Sequence, residues 1–322
     1  MGSDSSELQE GYRHYLRYFE TKEEPNYVQY NIQEFSKLSD GVHFKSEKYA
    51  VAYDEQGITE YTTYANHATN FWIQILLVKN NLSFIHAAAV EINGKGFIFP
   101  APGGIGKTAL ISYLRNLPGF KFFGDDFVIV NSQGEMFSYP SDFSIYPYHL
   151  TVFPEIKNMK AGKFLRSRKY FFGYYWVKKA INFIAKRTHF SSGPLLKGWN
   201  SNYAKVPAEA LISTKDIGVK TAIYATVFLE RYTGDTIEVE TVSSEELVKM
   251  VVNVLNTEFK YGISYFNILT ASLGLNPNDF YEKQRDILKA AISNTKCYRF
   301  KIPEKFNTQT YFNHINNFIK SI

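Results

Sequence analysis

The chain has 322 residues, of which 45% are apolar and 17% aromatic, and its formal net charge is +5 at pH 7. This composition predicts an ordered globular protein, because a disordered chain has too few apolar residues to form a core. The longest apolar run, residues 71–78 with an interruption at Gln74, is far shorter than the roughly 20 residues of a membrane-spanning helix. A single cysteine, Cys297, excludes an internal disulfide and a cysteine-based zinc site. The N-terminus lacks the pattern of a secretory signal, so a cytoplasmic protein is the default expectation.

The first part of the chain, residues 1–65, is predicted to be rich in β-strands. Residues 27–32 and 49–53 alternate aromatic and polar side chains, and residues 54–57 carry a turn signal. From residue 67 to residue 80 the apolar residues are dense enough for a buried helix. We therefore expect a small β-rich N-terminal part followed by a larger core over residues 66–322.

The next segment places a glycine-rich loop between a strand and a helix. Residues 84–92 and 97–99 are apolar and read as strands joined by a turn at residues 93–96. Residues 108–117 read as a helix. Strand, loop and helix thus follow one another in the order that a phosphate-binding site needs.

Residues 101–108, A-P-G-G-I-G-K-T, match the phosphate-loop pattern at every specified position except the first, where Ala101 replaces glycine. Glycines let the backbone amides surround a phosphate, and the helix presents its positive N-terminus to the same group. The lysine would reach the β- and γ-phosphates, and the threonine hydroxyl would bind magnesium. The expected ligands are ATP and Mg²⁺, and the expected nucleotide-binding residues are Gly103, Gly104, Ile105, Gly106, Lys107 and Thr108.

Two adjacent acids, Asp125 and Asp126, follow a short predicted strand at residues 120–123, only 18 residues after Lys107. Their position at a strand end predicts that they lie close to the loop. One carboxylate can complete the coordination of magnesium beside Thr108, and its neighbour can accept a proton from an attacking hydroxyl.

These residues together carry a family resemblance. The run of residues 85–90, then residues 96–100, the loop and the Gly-Asp-Asp of residues 124–126 resemble the catalytic core of the HPr kinase/phosphorylase family, which is related in fold to phosphoenolpyruvate carboxykinase. The resemblance covers about residues 84–130. It implies an α/β fold in which a P-loop core of this type contains a mixed sheet.

The resemblance also implies roles for individual residues. Asp125 would be the catalytic base, Asp126 a metal ligand together with Thr108, and His86 the partner of the base. The phosphate-loop pattern itself places Lys107 at the transferred phosphate as a further catalytic candidate. The family's downstream signature segment, with a metal-binding glutamate and a basic loop for its protein substrate, has no counterpart after residue 130. We therefore expect a divergent member whose acceptor is not the carrier protein HPr.

The distribution of charge is uneven. Residues 156–208 contain twelve Lys or Arg and no Asp or Glu, so this basic segment carries +12 in a chain of +5 overall. We expect it to be an aromatic-rich insertion in the core, with Arg166, Arg168 and Lys169 as candidate substrate-binding residues. A phosphorylated sugar, a nucleotide or RNA would suit it, and residues 178–187 would also suit a membrane surface. A solvated face of a helical hairpin is the alternative that involves no ligand.

The last third of the chain is predicted to contain a hairpin and several helices. Residues 221–230 and 236–242 read as two strands joined by a turn at residues 232–235. Ser243 and Glu246 then form a capping signature for a helix. Further helices are expected near residues 279–293 and 308–319, with an extended stretch at residues 297–302 between them.

Two functions remain open at this stage. The first is a kinase that transfers the γ-phosphate of ATP to a hydroxyl of a small molecule, glycan or peptide. The alternative is a nucleotide-switched binding protein, or a kinase acting on RNA or another polyanion through the basic segment. A motor-type ATPase fits less well, because such proteins place the second acidic motif much farther from the loop. A homo-oligomer is compatible with either function.

Overall fold

The computed structural model describes residues 10–13, 16–19, 30–35, 38, 42, 44–45, 49–53, 57–62, 68–169, 203–273, 275–305 and 308–322. These residues form a mixed α/β structure with mixed sheets. Most of the basic segment, residues 170–202, lies outside the described part of the chain.

The N-terminal strands form a small sheet of their own. They are β1 (Tyr30–Glu34), β2 (Phe44–Lys45), β3 (Tyr49–Tyr53) and β4 (Ile58–Thr62). Their order is β1-β4-β3-β2, with β1 parallel to β4 and the other pairs antiparallel. The strand predicted at residues 49–53 is β3. Helix α1 (Thr69–Lys79) contributes to the same core, where Trp72 Nε1 donates a hydrogen bond of 2.5 Å to the Tyr49 hydroxyl.

The strands of the central sheet come from residues 82–303. They are β5 (Leu82–Ile85), β6 (Ala87–Ile92), β7 (Lys95–Pro100), β8 (Lys121–Gly124), β9 (Val128–Asn131), β10 (Glu135–Phe137), β13 (Lys220–Tyr232), β14 (Glu238–Thr241) and β15 (Lys296–Pro303). The order is β5-β9-β10-β13-β7-β6-β8. Strand β15 also pairs with β13, and β14 pairs with the other edge of β15. Strand β13 is parallel to both β7 and β15, whereas β6 is antiparallel to β7.

One continuous strand was expected at residues 84–92, and this prediction is wrong at one residue. His86 separates β5 from β6. Strand β5 pairs with β9, whereas β6 pairs with β7 and β8. At the break, the Ala87 amide donates to the Asp126 carbonyl over 3.2 Å. The change of partners therefore brings His86 close to the acid pair.

The predicted hairpin of residues 221–242 is also wrong. Both strands form, but β13 and β14 do not pair with each other, because β15 lies between them. Leu229 of β13 is opposite Phe300 of β15, and Val239 of β14 is opposite the same residue from the other side. A strand from the end of the chain thus replaces the local partner.

Helices cover both faces of the central sheet. The helices after the glycine loop are α2 (Lys107–Leu114), α3 (Lys160–Lys169), α4 (Ser244–Glu258), α5 (Lys260–Leu273), α6 (Pro277–Ser293) and α7 (Thr308–Ser321). Alternate residues of β6 belong to different cores: Ala88 packs with α2 and α7, and Ala87 packs with α4 and α6. The predicted cap of α4 is present, since Ser243 Oγ accepts a 3.1 Å hydrogen bond from the Glu246 amide.

Helix α5 was not predicted, and its packing explains its sequence. Gly262 lies against Phe71 of α1, where an added Cβ would stand 2.4 Å from the ring. A glycine that normally weakens a helix therefore allows α5 to approach α1 closely. In the described part of the chain no helix is both long and apolar enough to cross a membrane. Cys297 is buried in β15 as a free thiol.

A two-stranded ribbon lies beside the central sheet. It pairs β11 (Phe143–Ile145) with β12 (Ala204–Val206) in antiparallel register. Short 3₁₀ helices follow β11 at Pro147–Thr151 and Pro154–Asn158. Phe122 of β8 packs against Phe143 of β11, with ring centroids 5.4 Å apart. The ribbon is thus attached to the strand that leads into the acid pair.

Candidate functional site

The glycine loop, residues 101–106, connects the end of β7 to the start of α2. Gly104 has φ of 82° and Gly106 has φ of 108°, a backbone region that favours glycine. A Cβ added at Gly103, Gly104 or Gly106 would meet no atom within 4 Å, so these glycines face open space. Ile105 is buried in the core and anchors the middle of the loop. The loop is therefore fixed at its centre and open on the side of its glycines.

Lys107, the first residue of α2, folds back onto the loop. Its Nζ donates hydrogen bonds to the carbonyl oxygens of Ala101, at 2.8 Å, and Pro102, at 3.3 Å. Burial lowers the pKa of Lys107, and the nearby negative charges of Asp125, Asp126 and Glu258 oppose this effect. The ammonium group is thus held by weak neutral acceptors, which a bound anion can replace.

His86 contacts Lys107. The Lys107 Nζ lies 2.9 Å from His86 Nε2, so the ammonium donates and the imidazole accepts. Burial, with the positive charge of Lys107, holds the pKa of His86 well below its usual value, and the ring is neutral. The described residues show no hydrogen bond between His86 and Asp125, the partner that the resemblance implied. His86 instead holds Lys107.

Glu258, at the C-terminal end of α4, is a site residue that the sequence analysis did not identify. Its Oε1 lies 3.5 Å from His86 Nε2. Burial raises the pKa of Glu258, whereas the positive charge of Lys107 lowers it. An acidic residue in the last turn of a helix is electrostatically unfavourable. An acid at such a position in the sequence could therefore have indicated a functional role for Glu258. The positive charge of the nearby Lys107 compensates for this unfavourable position.

The acid pair meets the loop at Thr108. Thr108 Oγ1 donates a 2.6 Å hydrogen bond to Asp125 Oδ2. Asp125 is buried, and its other oxygen, Oδ1, makes no hydrogen bond to the described residues. Burial, together with the negative charge of Asp126, raises the pKa of Asp125 to about 7. A buried carboxylate oxygen without a partner is costly unless a ligand or an ion satisfies it.

The oxygens of Thr108 and Asp125 fit a magnesium ion better than a transition metal. Magnesium in nucleotide sites is held by one or two protein oxygens, the phosphates and water. Within the described part of the chain, no three His, Cys, Asp or Glu side chains are grouped to hold a metal by themselves. The unpartnered Asp125 oxygen is available to such an ion or to an acceptor hydroxyl.

Arg115 connects the end of α2 to the segment that follows β11. Its guanidinium forms a 2.5 Å ion pair with Glu155 and lies 4.8 Å from the centroid of the Phe153 ring. It also donates a 2.9 Å hydrogen bond to the Leu211 carbonyl. The helix that starts at the loop is thereby tied to the 3₁₀ helix Pro154–Asn158.

Of the residues expected at the site, those of the loop, His86 and the two acids come together. Arg166, Arg168 and Lys169 belong to α3, but their side chains lie outside the described residues. Comparison with models of known protein families gave no match for this chain, and comparison with curated proteins gave none either.

Proposed function

We propose that the chain is an ATP-dependent kinase, with a P-loop core of the HPr kinase and phosphoenolpyruvate carboxykinase type, that transfers the γ-phosphate to a hydroxyl group. One observation carries this proposal: the hydrogen bond between Thr108 and the buried Asp125, which joins the glycine loop to the acid pair. A glycine-rich turn without a ligand has no need of a buried acid with an unpartnered oxygen.

The phosphate donor would lie against the open side of the glycine loop. Backbone amides there and the N-terminus of α2 suit an anion, because both present partial positive charge. Lys107 would exchange the Ala101 and Pro102 carbonyls for phosphate oxygens, which form stronger, charge-assisted hydrogen bonds. His86 and Glu258 lie beside this lysine and keep its ammonium near the loop when it moves.

A bound magnesium ion would offset the negative charge that develops on the phosphates. Thr108 and Asp125 offer it a hydroxyl and a carboxylate, and Asp126 is the neighbouring acid. Asp125 Oδ1 has no hydrogen-bond partner among the described residues, so this oxygen can accept the proton of the attacking hydroxyl. In the assignment implied by the resemblance, the base is Asp125 and the metal ligand is Asp126.

The test is transfer from γ-labelled ATP to a panel of sugars, nucleosides, serine peptides and RNA, with the product mass measured. We expect labelled product with one class of acceptor, and none with the Lys107→Ala protein. Hydrolysis without any transfer would instead favour the nucleotide-switched binding protein. Absence of both Mg-ATP binding and transfer in folded protein would refute the proposal.

A further inference from the structure

The ribbon of β11 and β12 presents one face to the core and the other to solvent. Phe143 and Ile145 of β11 and Val206 of β12 are buried. Because side chains alternate along a strand, the cross-strand pair of Ser144 and Lys205 lies on the opposite face. Lys205 is exposed there. The outer face of the ribbon therefore carries a cation that is not used in packing.

Lys205 belongs to the surroundings of the acid pair. Its positive charge is close enough to Asp125 to lower the pKa of that carboxyl, although burial outweighs this effect. The ribbon is fixed in this position because Phe143 packs against Phe122 of β8, the strand that ends next to Asp125. An acceptor bound over the ribbon would therefore lie near the proposed catalytic carboxylate.

Three tyrosines beside Lys205 form a cluster, which we call the tyrosine platform: Tyr146, Tyr148 and Tyr203. The rings of Tyr146 and Tyr148 stack with centroids 5.6 Å apart, and Tyr203 lies 5.6 Å from Tyr146. Tyr148 is 57% exposed, which is unusual for a large aromatic residue. The charge of Asp125 contributes, after burial and Tyr146, to raising the pKa of Tyr148. The platform thus adjoins the ribbon, and the charge of Asp125 acts on it.

The platform is held by a buried histidine. His149 Nδ1 accepts a 3.2 Å hydrogen bond from the Tyr146 amide, and its ring lies 4.2 Å from the ring of Tyr148. Burial lowers the pKa of His149 to about 4, so the imidazole stays neutral and keeps this acceptor role near pH 7. A rigid aromatic surface loses little conformational entropy when a ligand binds, which is typical of a preformed site.

The free groups of the platform define the chemistry of a ligand. Within the described residues, the hydroxyls of Tyr148 and Tyr203 make no hydrogen bond. Lys205 Nζ lies 5.8 Å from the centroid of the Tyr203 ring, so its charge sits beside the hydroxyl-bearing rings. The surface combines an exposed ring face, hydroxyls that have no partner among the described residues, and one positive charge.

We propose that the tyrosine platform and Lys205 bind the acceptor of the kinase, and that this acceptor is a sugar carrying one anionic group. The ring faces would pack against the carbon skeleton of the sugar, and the free tyrosine hydroxyls would pair with its hydroxyl groups. Lys205 would pair with a carboxylate or phosphate on the same sugar. A peptide would not use the ring faces in this way, and a neutral nucleoside would leave Lys205 without a partner.

The inference rests on the proposed function and adds the substrate class. In the reaction, an oxygen of a sugar hydroxyl forms a bond to the γ-phosphorus, and the bond from that phosphorus to the β–γ bridging oxygen breaks. ADP leaves with the bond's electron pair, and the proton of the sugar hydroxyl passes to Asp125. The products are ADP and a sugar phosphate, with no redox change.

The first experiment measures direct binding to the full chain by calorimetry. The probes are glucuronate, glucose 6-phosphate, glucose and uridine, each titrated with and without a non-hydrolysable ATP analogue and magnesium. We expect at least one of the two anionic sugars to bind about tenfold more tightly than glucose and uridine. The carboxylate and the phosphate arms distinguish which anionic group is preferred.

Variants then separate charge from stacking. Lys205→Gln should remove the tenfold preference for the anionic sugar and leave glucose binding unchanged, because only the charge is lost. Tyr148→Ala should weaken the binding of glucose and of the preferred anionic sugar about tenfold, while Tyr148→Phe should keep most of the affinity for both. Lys249→Gln, at an exposed position on α4, is the matched control and should change nothing. Affinity for the ATP analogue should stay constant in all four variants.

Several outcomes would overturn the inference. They are equal affinity for glucose and the anionic sugars, preferential binding of uridine, and an unchanged sugar affinity in Tyr148→Ala. Nucleotide binding is measured in the same titrations, so a protein that binds the ATP analogue but no sugar refutes this inference alone. A protein that binds sugar but no nucleotide refutes the proposed kinase function, and with it the role of the sugar as acceptor.

Discussion

Gly106, the residue immediately before α2, offers a sharp test of the glycine loop. Its φ of 108° and ψ of 26° lie beyond the left-handed region, near φ of 50–70°, that other residues occasionally adopt. Replacement by alanine causes no clash, because an added Cβ would meet nothing within 4 Å. In the protein without ligand, the effect of Gly106→Ala is therefore backbone strain alone, about 1–3 kcal/mol.

This strain can appear in either of two measurements. If the free protein keeps the loop conformation, the free energy of unfolding falls by about 2 kcal/mol and Mg-ATP affinity does not change. If the free loop relaxes and the bound loop does not, stability is retained and affinity falls by up to about 30-fold, the equivalent of about 2 kcal/mol. The two losses should together account for the strain, since both start from the same backbone conformation.

The assay is urea unfolding and calorimetry with Mg-ATP on Gly106→Ala, with Gly103→Ala as the control. Gly103 has the same open surroundings but is not among the glycines with positive φ. Gly103→Ala should keep its full stability. Its affinity for Mg-ATP can still change, because a Cβ at either position can contact a bound phosphate. Unchanged stability and affinity in Gly106→Ala, or an equal loss of stability in Gly103→Ala, would refute the reasoning.

Three further predictions follow from the site and the core. Lys107→Ala should lower Mg-ATP affinity at least about tenfold, because charge-assisted hydrogen bonds are lost, and unchanged calorimetric affinity in folded protein would contradict this. Asp125→Asn should lower single-turnover phosphate transfer by about 100–10,000-fold, whereas Asp126→Asn should raise the magnesium concentration needed for nucleotide binding; a wild-type transfer rate in the first variant would exclude Asp125 as the base. Burial raises the pKa of Glu60 from 4.5 to about 7, so the folded protein keeps a proton that the unfolded chain releases between these values. The stabilising contribution of Glu60 should therefore fall by about 3 kcal/mol as pH rises through this range, and the difference in stability between wild type and Glu60→Gln, measured by urea unfolding between pH 4 and 8, should change by this amount.

Local patterns were sufficient to predict much of the structure. Strand β3 occupies the predicted residues, Ser243 caps α4, and Cys297 is buried in a strand. In each case the determinant lies within a few residues: alternating side chains, a hydroxyl three residues before a free amide, or a small apolar residue among strand formers. The contact between Thr108 and Asp125 also follows from short separation, with one helix and one strand between them.

The features that were missed depend on residues far apart in the chain. Strand β15 separates β13 from β14, and no pattern within residues 221–242 indicates that a strand more than 50 residues later will pair between them. Glu258 reaches the site because α4 packs on the central sheet. The contact of His86 with Lys107 depends on the break between β5 and β6, which pairing with two different strands produces.

The ion pair between Arg115 and Glu155 has a consequence for the order of events at the site. Helix α2 has eight residues, a length of about 12 Å, and it begins at the glycine loop and ends next to Arg115. If so short a helix tilts as a rigid rod, a movement at its loop end would shift Glu155 and Phe153, which follow Tyr146 and Tyr148 of the tyrosine platform in the chain. Occupancy at one end would then alter affinity at the other, and thermodynamic linkage would require the effect to be equal in both directions. The two substrates would bind as a cooperative pair, each improving or weakening the site of the other by the same factor.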